Sequence, residues 1–154
     1  MKNTRSLPLT LLAVLLCLPF VAGAGESVVV EGAWSRSTPP GMKMGGVYFQ
    51  IRNQGDAPDR LLGVKSNVSA SATLHETVMQ GGMARMRPMG PLDLPPGASV
   101  AFAPRGRHVM LMGLNGPLVE GERFEITLHL ERAGIIAVPV EIRSMTGMGT
   151  MGGM

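Results

Sequence analysis

Short runs of alternating apolar and polar residues dominate this chain, and most end in Gly, Pro, Asn or Asp. Alternation with period two marks a strand that buries one face. Residues 27–34 carry Val28, Val29 and Val30, and the run stops before Ser37-Thr38-Pro39-Pro40-Gly41. Residues 46–53 (GVYFQIRN) alternate up to the Gln54-Gly55-Asp56 turn, from which residues 60–68 are expected to return as the next strand. Residues 72–77 form another, and Gln80-Gly81-Gly82 signals a hairpin into residues 83–88. After a Leu94-Pro95-Pro96-Gly97 loop come residues 99–103, 108–114, 123–131 and 135–144. The pattern predicts about nine strands, no helix and no internal repeat. Turn signals at this spacing are those of a β-sandwich or barrel.

The two ends read differently. Lys2 and Arg5 precede an apolar run over residues 7–21, followed by Ala22-Gly23-Ala24. A basic start, a short apolar stretch and small residues at a cleavage site make a secretory signal peptide, residues 1–24. The run is shorter than the roughly 20 residues a membrane helix needs, and Pro8 and Pro19 interrupt it. No stable membrane span is therefore expected after cleavage. Leu16, not a small residue, precedes Cys17, which argues against a lipid anchor there. A single domain over residues 25–143 follows. The tail, residues 144–154, places Met145, Met148, Met151 and Met154 at a spacing of three among Gly, Thr and Ser. Such a segment has nothing to bury and is expected to be flexible.

Composition sharpens this picture. Hydrophobic residues make up 45% of the chain, enough for a core. Without Lys2 and Arg5, twelve basic residues face eleven acidic ones, so the sequence pI of 9.6 owes part of its value to the signal. No basic run remains to suggest nucleic acid. The single cysteine, Cys17, leaves with the signal. The exported chain then has no disulfide, no thiolate nucleophile and no thiolate metal ligand.

Thirteen methionines and three histidines carry the candidate chemistry. In His108-Val109-Met110-Leu111-Met112, residues two apart share a strand face. His108, Met110 and Met112 thus point one way, and Val109 and Leu111 point to a core. His75 precedes Met79, Met83, Met86 and Met89 across the glycine turn. Met83 and Met89 share the parity of Met79, and Met86 is opposite unless a bulge intervenes, so phase alone does not choose among them. His129 has no Met beside it and reads as structural. Trp34, the only tryptophan, suits either the core or the site. Imidazole and thioether without thiolate suit a soft ion such as Cu(I), and so does the Met tail. A blue-copper electron-transfer site is excluded for want of a Cys ligand. No Ser-His-Asp order, paired-carboxylate motif or Gly-rich phosphate loop suggests an enzyme. Glu76 lies on the strand face opposite His75 and is a poor acid–base partner for it.

Ten residues separate His75 from Met86, 21 separate Met86 from His108, and one separates His108 from Met110. This H-x10-M-x21-H-x-M spacing, with the local text LHETVMQGGMARMRPM and GRHVMLMGL, resembles the periplasmic copper chaperone family, the PCuAC-type proteins. The AWSRSTPPG and GGVYFQIRN segments extend the resemblance over most of residues 30–142. It implies a cupredoxin-like Greek-key β-barrel or sandwich with Cu(I) held by His75, Met86, His108 and Met110. It implies a monomeric periplasmic carrier, not an enzyme. The acceptor so implied is the copper A subunit of cytochrome c oxidase, its assembly thiol protein, or both. A copper-buffering or resistance protein without a dedicated acceptor would use the same ligands. Met145, Met148, Met151 and Met154 are candidates for a secondary site, and Met42, Met44, Met83 and Met112 are further additions. A structural or adhesive β-sandwich whose methionines scavenge oxidants is the remaining class.

Overall fold

The computed structural model describes residues 27–144. The signal segment 1–24 and Met145, Met148, Met151 and Met154 of the tail lie outside the described residues. Ten strands and no helix make up the described chain: β1 (Val28–Arg36), β2 (Met44–Asn53), β3 (Asp59–Ser66), β4 (Ser69–Gln80), β5 (Met83–Pro88), β6 (Leu92–Leu94), β7 (Ser99–Phe102), β8 (Arg107–Leu114), β9 (Arg123–Leu130) and β10 (Ile135–Arg143). They form one mixed sheet in the order β5-β4-β8-β7-β2-β1-β10-β9-β3-β6. Strand β2 is long enough to take two partners on one edge. Its first half pairs with β8 and its second half with β7.

Alternation in the sequence becomes a single core. Val47, Phe49 and Ile51 of β2 are buried with Val109 and Leu111 of β8 and with Phe124, Ile126, Leu128 and Leu130 of β9. Val138, Val140 and Ile142 of β10 join them. Phe49 and Phe102 stack with ring centroids 4.5 Å apart. Each such side chain contributes about 1.5–3 kcal/mol on burial, so the inner face of the sheet fixes strand register. The outer face is then free for other chemistry.

Two details depart from the pattern. Residues 60–68 do not return beside β2. Strand β3 crosses instead to pair with β9 and β6. The turn after β2 is tied elsewhere: Gln54 N and Gly55 N both donate to Ser27 O. Buried Asn53 donates through Nδ2 to Ala57 O and Leu94 O, both at 2.8 Å, and accepts from Gly55 N through Oδ1. These bonds lead the chain away from a hairpin. The second departure is β6, three residues at the edge of the stretch read as a loop. A segment this short shows no period.

Asp59 anchors the far end of β3. Its Oδ1 accepts from Arg60 N at 2.7 Å and Arg132 N at 2.9 Å, and its Oδ2 accepts from Ala133 N at 2.8 Å. Burial pushes this carboxyl up, but the N–H groups of Arg132, Arg60 and Ala133 and the Arg132 charge outweigh it, and the group sits below its usual 3.8. A depressed carboxyl stabilises the fold above its unfolded value and loses that stability as pH falls through its native value. Asp59→Ala should lower unfolding free energy by about 1–3 kcal/mol, because it leaves three part-buried N–H groups without their acceptor. In urea melts across acid pH, the native chain should lose stability more steeply below 3.8 than Asp59→Asn. Equal slopes would remove Asp59 from the acid response.

Candidate metal centre

The site is built on the outer face of β4 and β8. These strands are antiparallel, with His75 opposite His108, Thr73 opposite Met110 and Ser71 opposite Met112. Directly opposed residues share a face. Leu74 is opposite Val109 on the other face, and both are buried. The core therefore sets the register that brings the two imidazoles together. Their ring centroids are 5.9 Å apart and tilted by 45°.

His108 is only 4% exposed. Its Nδ1 lies 3.1 Å from Gly106 O, and a carbonyl can only accept, so Nδ1 carries the proton. Nε2 is then a bare lone pair, and it is buried without a hydrogen-bond partner. Gly106 O also accepts from Thr77 N at 3.2 Å, which ties β4 to the same turn. That turn closes through Gly106 N to Ala103 O at 3.0 Å, with Arg105 in the left-handed region at φ 67°. His75 presents a second buried, unpartnered ring nitrogen, Nδ1. Burial, and then the neighbouring His108, hold His75 below its usual 6.5. A neutral imidazole keeps its lone pair for a ligand. The Thr73 and Thr77 hydroxyls, which flank His75 on the same face, are also buried without partners. Unpaired buried polar atoms are few in native proteins. Four of the five in the described residues lie along one face of β4 and β8, with the His75–His108 pair between the two threonines, where a bound group would satisfy the ring nitrogens.

Met86 joins this face through the hairpin. Gln80 is opposite Met83, Met79 opposite Ala84 and Thr77 opposite Met86. A two-residue turn pairs odd numbers on β4 with even numbers on β5. Met86 therefore shares the His75 face, and Met83 does not. Counting parity straight through the turn gives the reverse, because it treats the hairpin as a continuous strand. Met86, His108 and Met110 line one cavity of about 210 Å³, together with Met44, Gly46, Tyr48, Thr77 and Arg105. His75 is outside that lining, one ring away.

An aromatic wall closes the β2 side. Tyr48 packs on Trp34 with centroids 4.8 Å apart, and the Arg143 guanidinium lies 5.4 Å from the Trp34 ring centroid. Trp34 is thus a neighbour of the site and not a core residue. A Cβ at Gly46 would meet the Tyr48 hydroxyl at 3.0 Å. Glycine there lets the phenol lie across the strand.

Other candidates fall elsewhere. Glu76 is on the opposite face, where its Oε1 accepts from Arg87 Nε at 2.9 Å and Nη2 at 2.8 Å. His129 sits on β9, opposite Ile135 and Gly63. Met89 packs against the core. The sequence reading missed Gly106, Thr73, Thr77 and Tyr48. Period two would have found the threonines, but a backbone carbonyl leaves no side-chain signal. The four residues named from the sequence would offer two imidazole nitrogens and two thioethers, with no thiolate. Rings at this separation leave room for one ion bonded to both, at metal–nitrogen lengths of about 2 Å.

Residues 28–142 match the LpqE-like family, described as "Putative lipoprotein LpqE-like". A curated relative from Leifsonia xyli subsp. xyli, "Putative lipoprotein Lxx21020", is 30% identical over 159 residues, covering 95% of both chains. Among solved structures, the copper-bound PCuAC domain from PmoF2 is 29% identical with a TM-score of 0.65, covering 77% of this chain and 93% of its own. The solution structure of CuI-DR1885 from Deinococcus radiodurans is 32% identical with a TM-score of 0.62, covering 79% of this chain and 81% of its own. The expected all-β, cupredoxin-like fold is therefore the observed one. On the match across residues 28–142 and the relative's identity along nearly the full length of both chains, the chain belongs to the LpqE-like family.

Proposed function

We propose that this protein is a copper carrier of the cell envelope. It binds Cu(I) through His75, Met86, His108 and Met110 and passes it on without catalysing a reaction. The observation that carries this reading is the pair of buried, unpartnered imidazole nitrogens, His75 Nδ1 and His108 Nε2, beside two thioethers. Two neutral imidazoles and two thioethers favour Cu(I) over harder or doubly charged ions. They release fewer protons on binding than thiolates would. Similarity to the copper-bound PmoF2 domain and to CuI-DR1885 supports the same ion. The lipoprotein names of the family and of the curated relative support an exported, envelope-associated protein. With residues 1–24 as a cleaved signal, the carrier works in the periplasm on this reading.

The ligands grade from fixed to free. His108 is buried, while Met86 is 64% exposed on the terminal hairpin. Copper held this way is open to an incoming acceptor on the Met86 side. The proposed acceptor is the copper A subunit of cytochrome c oxidase or its assembly thiol protein, with the carrier acting as a monomer. The Met145, Met148, Met151 and Met154 thioethers add an accessory Cu(I) site in this scheme.

An anaerobic Cu(I) titration of the chain ending at Ser144, against a competing chelator, should show one tight equivalent. His108→Ala with Met110→Ala should weaken it more than about a hundredfold, ~2.7 kcal/mol. No tight equivalent without the tail would assign copper to the tail methionines instead. Met86→Leu, which keeps volume, should cost only about tenfold, ~1.4 kcal/mol. It should speed Cu(I) release to the chelator. An unchanged affinity would remove Met86 from the ligand set. In copper-poor cells, deletion should impair oxidase assembly. Intact oxidase with loss of growth on excess copper would favour the buffering role.

A further inference from the structure

Two methionines next to the centre are not among its four proposed ligands and have no place in the core. Met44 of β2 is 54% exposed and Met112 of β8 is 37% exposed. They are directly opposite each other across the β2–β8 pairing, and the next outward-facing pair is Gly46 opposite Met110. Opposed Cβ atoms in such a pair lie about 4.5–5.5 Å apart, and diagonal neighbours about 7–8 Å. Unbranched thioethers span both distances. Met112 follows Met110 by two and shares its face. Gly46 has no side chain to stand between Met110 and Met44, and Met44 itself lines the cavity that holds Met110 and Met86.

The pair is also held in place. Just beyond it, Gly113 N and Leu114 N both donate to Lys43 O, at 2.8 and 3.1 Å. Gly113 has φ 69°, and a Cβ there would strike the Ala70 side chain at 2.9 Å. The Lys43 ammonium is turned onto Leu114 O at 3.5 Å. The remaining group facing Met112, from β4, is Ser71.

We propose that Met44, Met112 and the shared Met110 form a second, all-thioether Cu(I) station beside the His75–His108 centre. The inference rests on the copper reading above. Three neutral sulfurs select a soft monovalent ion. Lacking imidazole, they hold it less firmly than the first centre. Movement between the stations is ligand exchange. The Met110 S–Cu bond is kept, the bonds to the His75 and His108 nitrogens and to Met86 break, and bonds to Met44 and Met112 sulfur form. The ion stays at +1, every ligand stays neutral and no electron or proton is transferred. Copper can therefore enter or leave along the sheet face without passing free through water.

The test follows methionine methyl resonances in the chain from Gly25 onward, tail included, labelled with carbon-13 at the Met methyl groups. Ag(I) is the air-stable soft probe, with anaerobic Cu(I) as the check. Met86 and Met110 methyls should shift with the first equivalent. Met44 and Met112 should shift together afterwards, with a second movement of Met110. Met112→Leu, outside the lining of the first cavity, keeps volume. It should abolish the later shift of Met110 and leave the first-equivalent shifts intact. Met44 and Met112 methyls that stay still while Met86 and Met110 respond would overturn the second station and leave the copper centre standing. Met44 and Met112 moving with the first equivalent in place of Met86 would also overturn it, since they would then belong to a single site. If Met86 and Met110 stay still throughout, the copper reading itself fails, and the station with it.

Discussion

The register between β4 and β8 is the constraint on which the centre depends. One face of this pairing carries His75, His108, Thr73 and Met110, and the other carries Leu74, Val109 and Leu111. A slip of one residue exchanges the two faces. For β8 it would put His108 on the core side and Val109 and Leu111 into water, at about 1.5–3 kcal/mol for each of these two. The geometry of the ligands is therefore held by apolar burial on the side of the sheet they do not occupy. No bound ion is needed to assemble them. The outer face is preorganised, and binding need not supply the energy for ordering the strands.

A single backbone atom refines this arrangement. Gly106 O takes both the His108 ring proton and the Thr77 amide. The first bond sets the tautomer that frees Nε2. The second locks β4 to the turn that precedes β8. A carbonyl on the far nitrogen of an imidazole also raises its basicity as a ligand.

The β8 half of the centre was legible because a strand writes its two faces directly into the sequence. His108, Met110 and Met112 alternate with Val109 and Leu111, and exposure follows that division at Met110 and Met112, while His108 is buried on the face of the site. The β4–β5 half was not legible by phase. Alternation has meaning within one strand, and the Gly81-Gly82 turn resets it, so Met86 rather than Met83 faces His75. The fixed spacing of the motif held information that local periodicity lacked. The pairing of β3 with β9 instead of β2 was invisible for a related reason. It depends on Asn53 and Ser27 diverting the chain after β2, and those bonds link residues far apart in sequence. Thr73 and Thr77 shared the parity of His75 throughout. Their importance appears only when burial shows their hydroxyls without partners.

The distribution of exposure bears on how such a centre can both hold and release an ion. If all its ligands were as buried as His108, release would require the sheet to open, at the cost of strand pairing. If all were as exposed as Met86, neither ring nitrogen would be desolvated, and water would compete for the ion. The centre combines the two extremes. Buried His108 and half-buried His75 on paired strands supply fixed direction, and a thioether on the terminal hairpin supplies the bond that breaks most easily. Strand β5 pairs with β4 alone and ends the sheet, so moving Met86 disturbs no other pairing. On the proposed function, each thioether bond to copper is weak and uncharged, and an acceptor thiolate would replace it with a stronger, charged one. Directionality of the proposed transfer would then follow from ligand chemistry, without a conformational engine in the core.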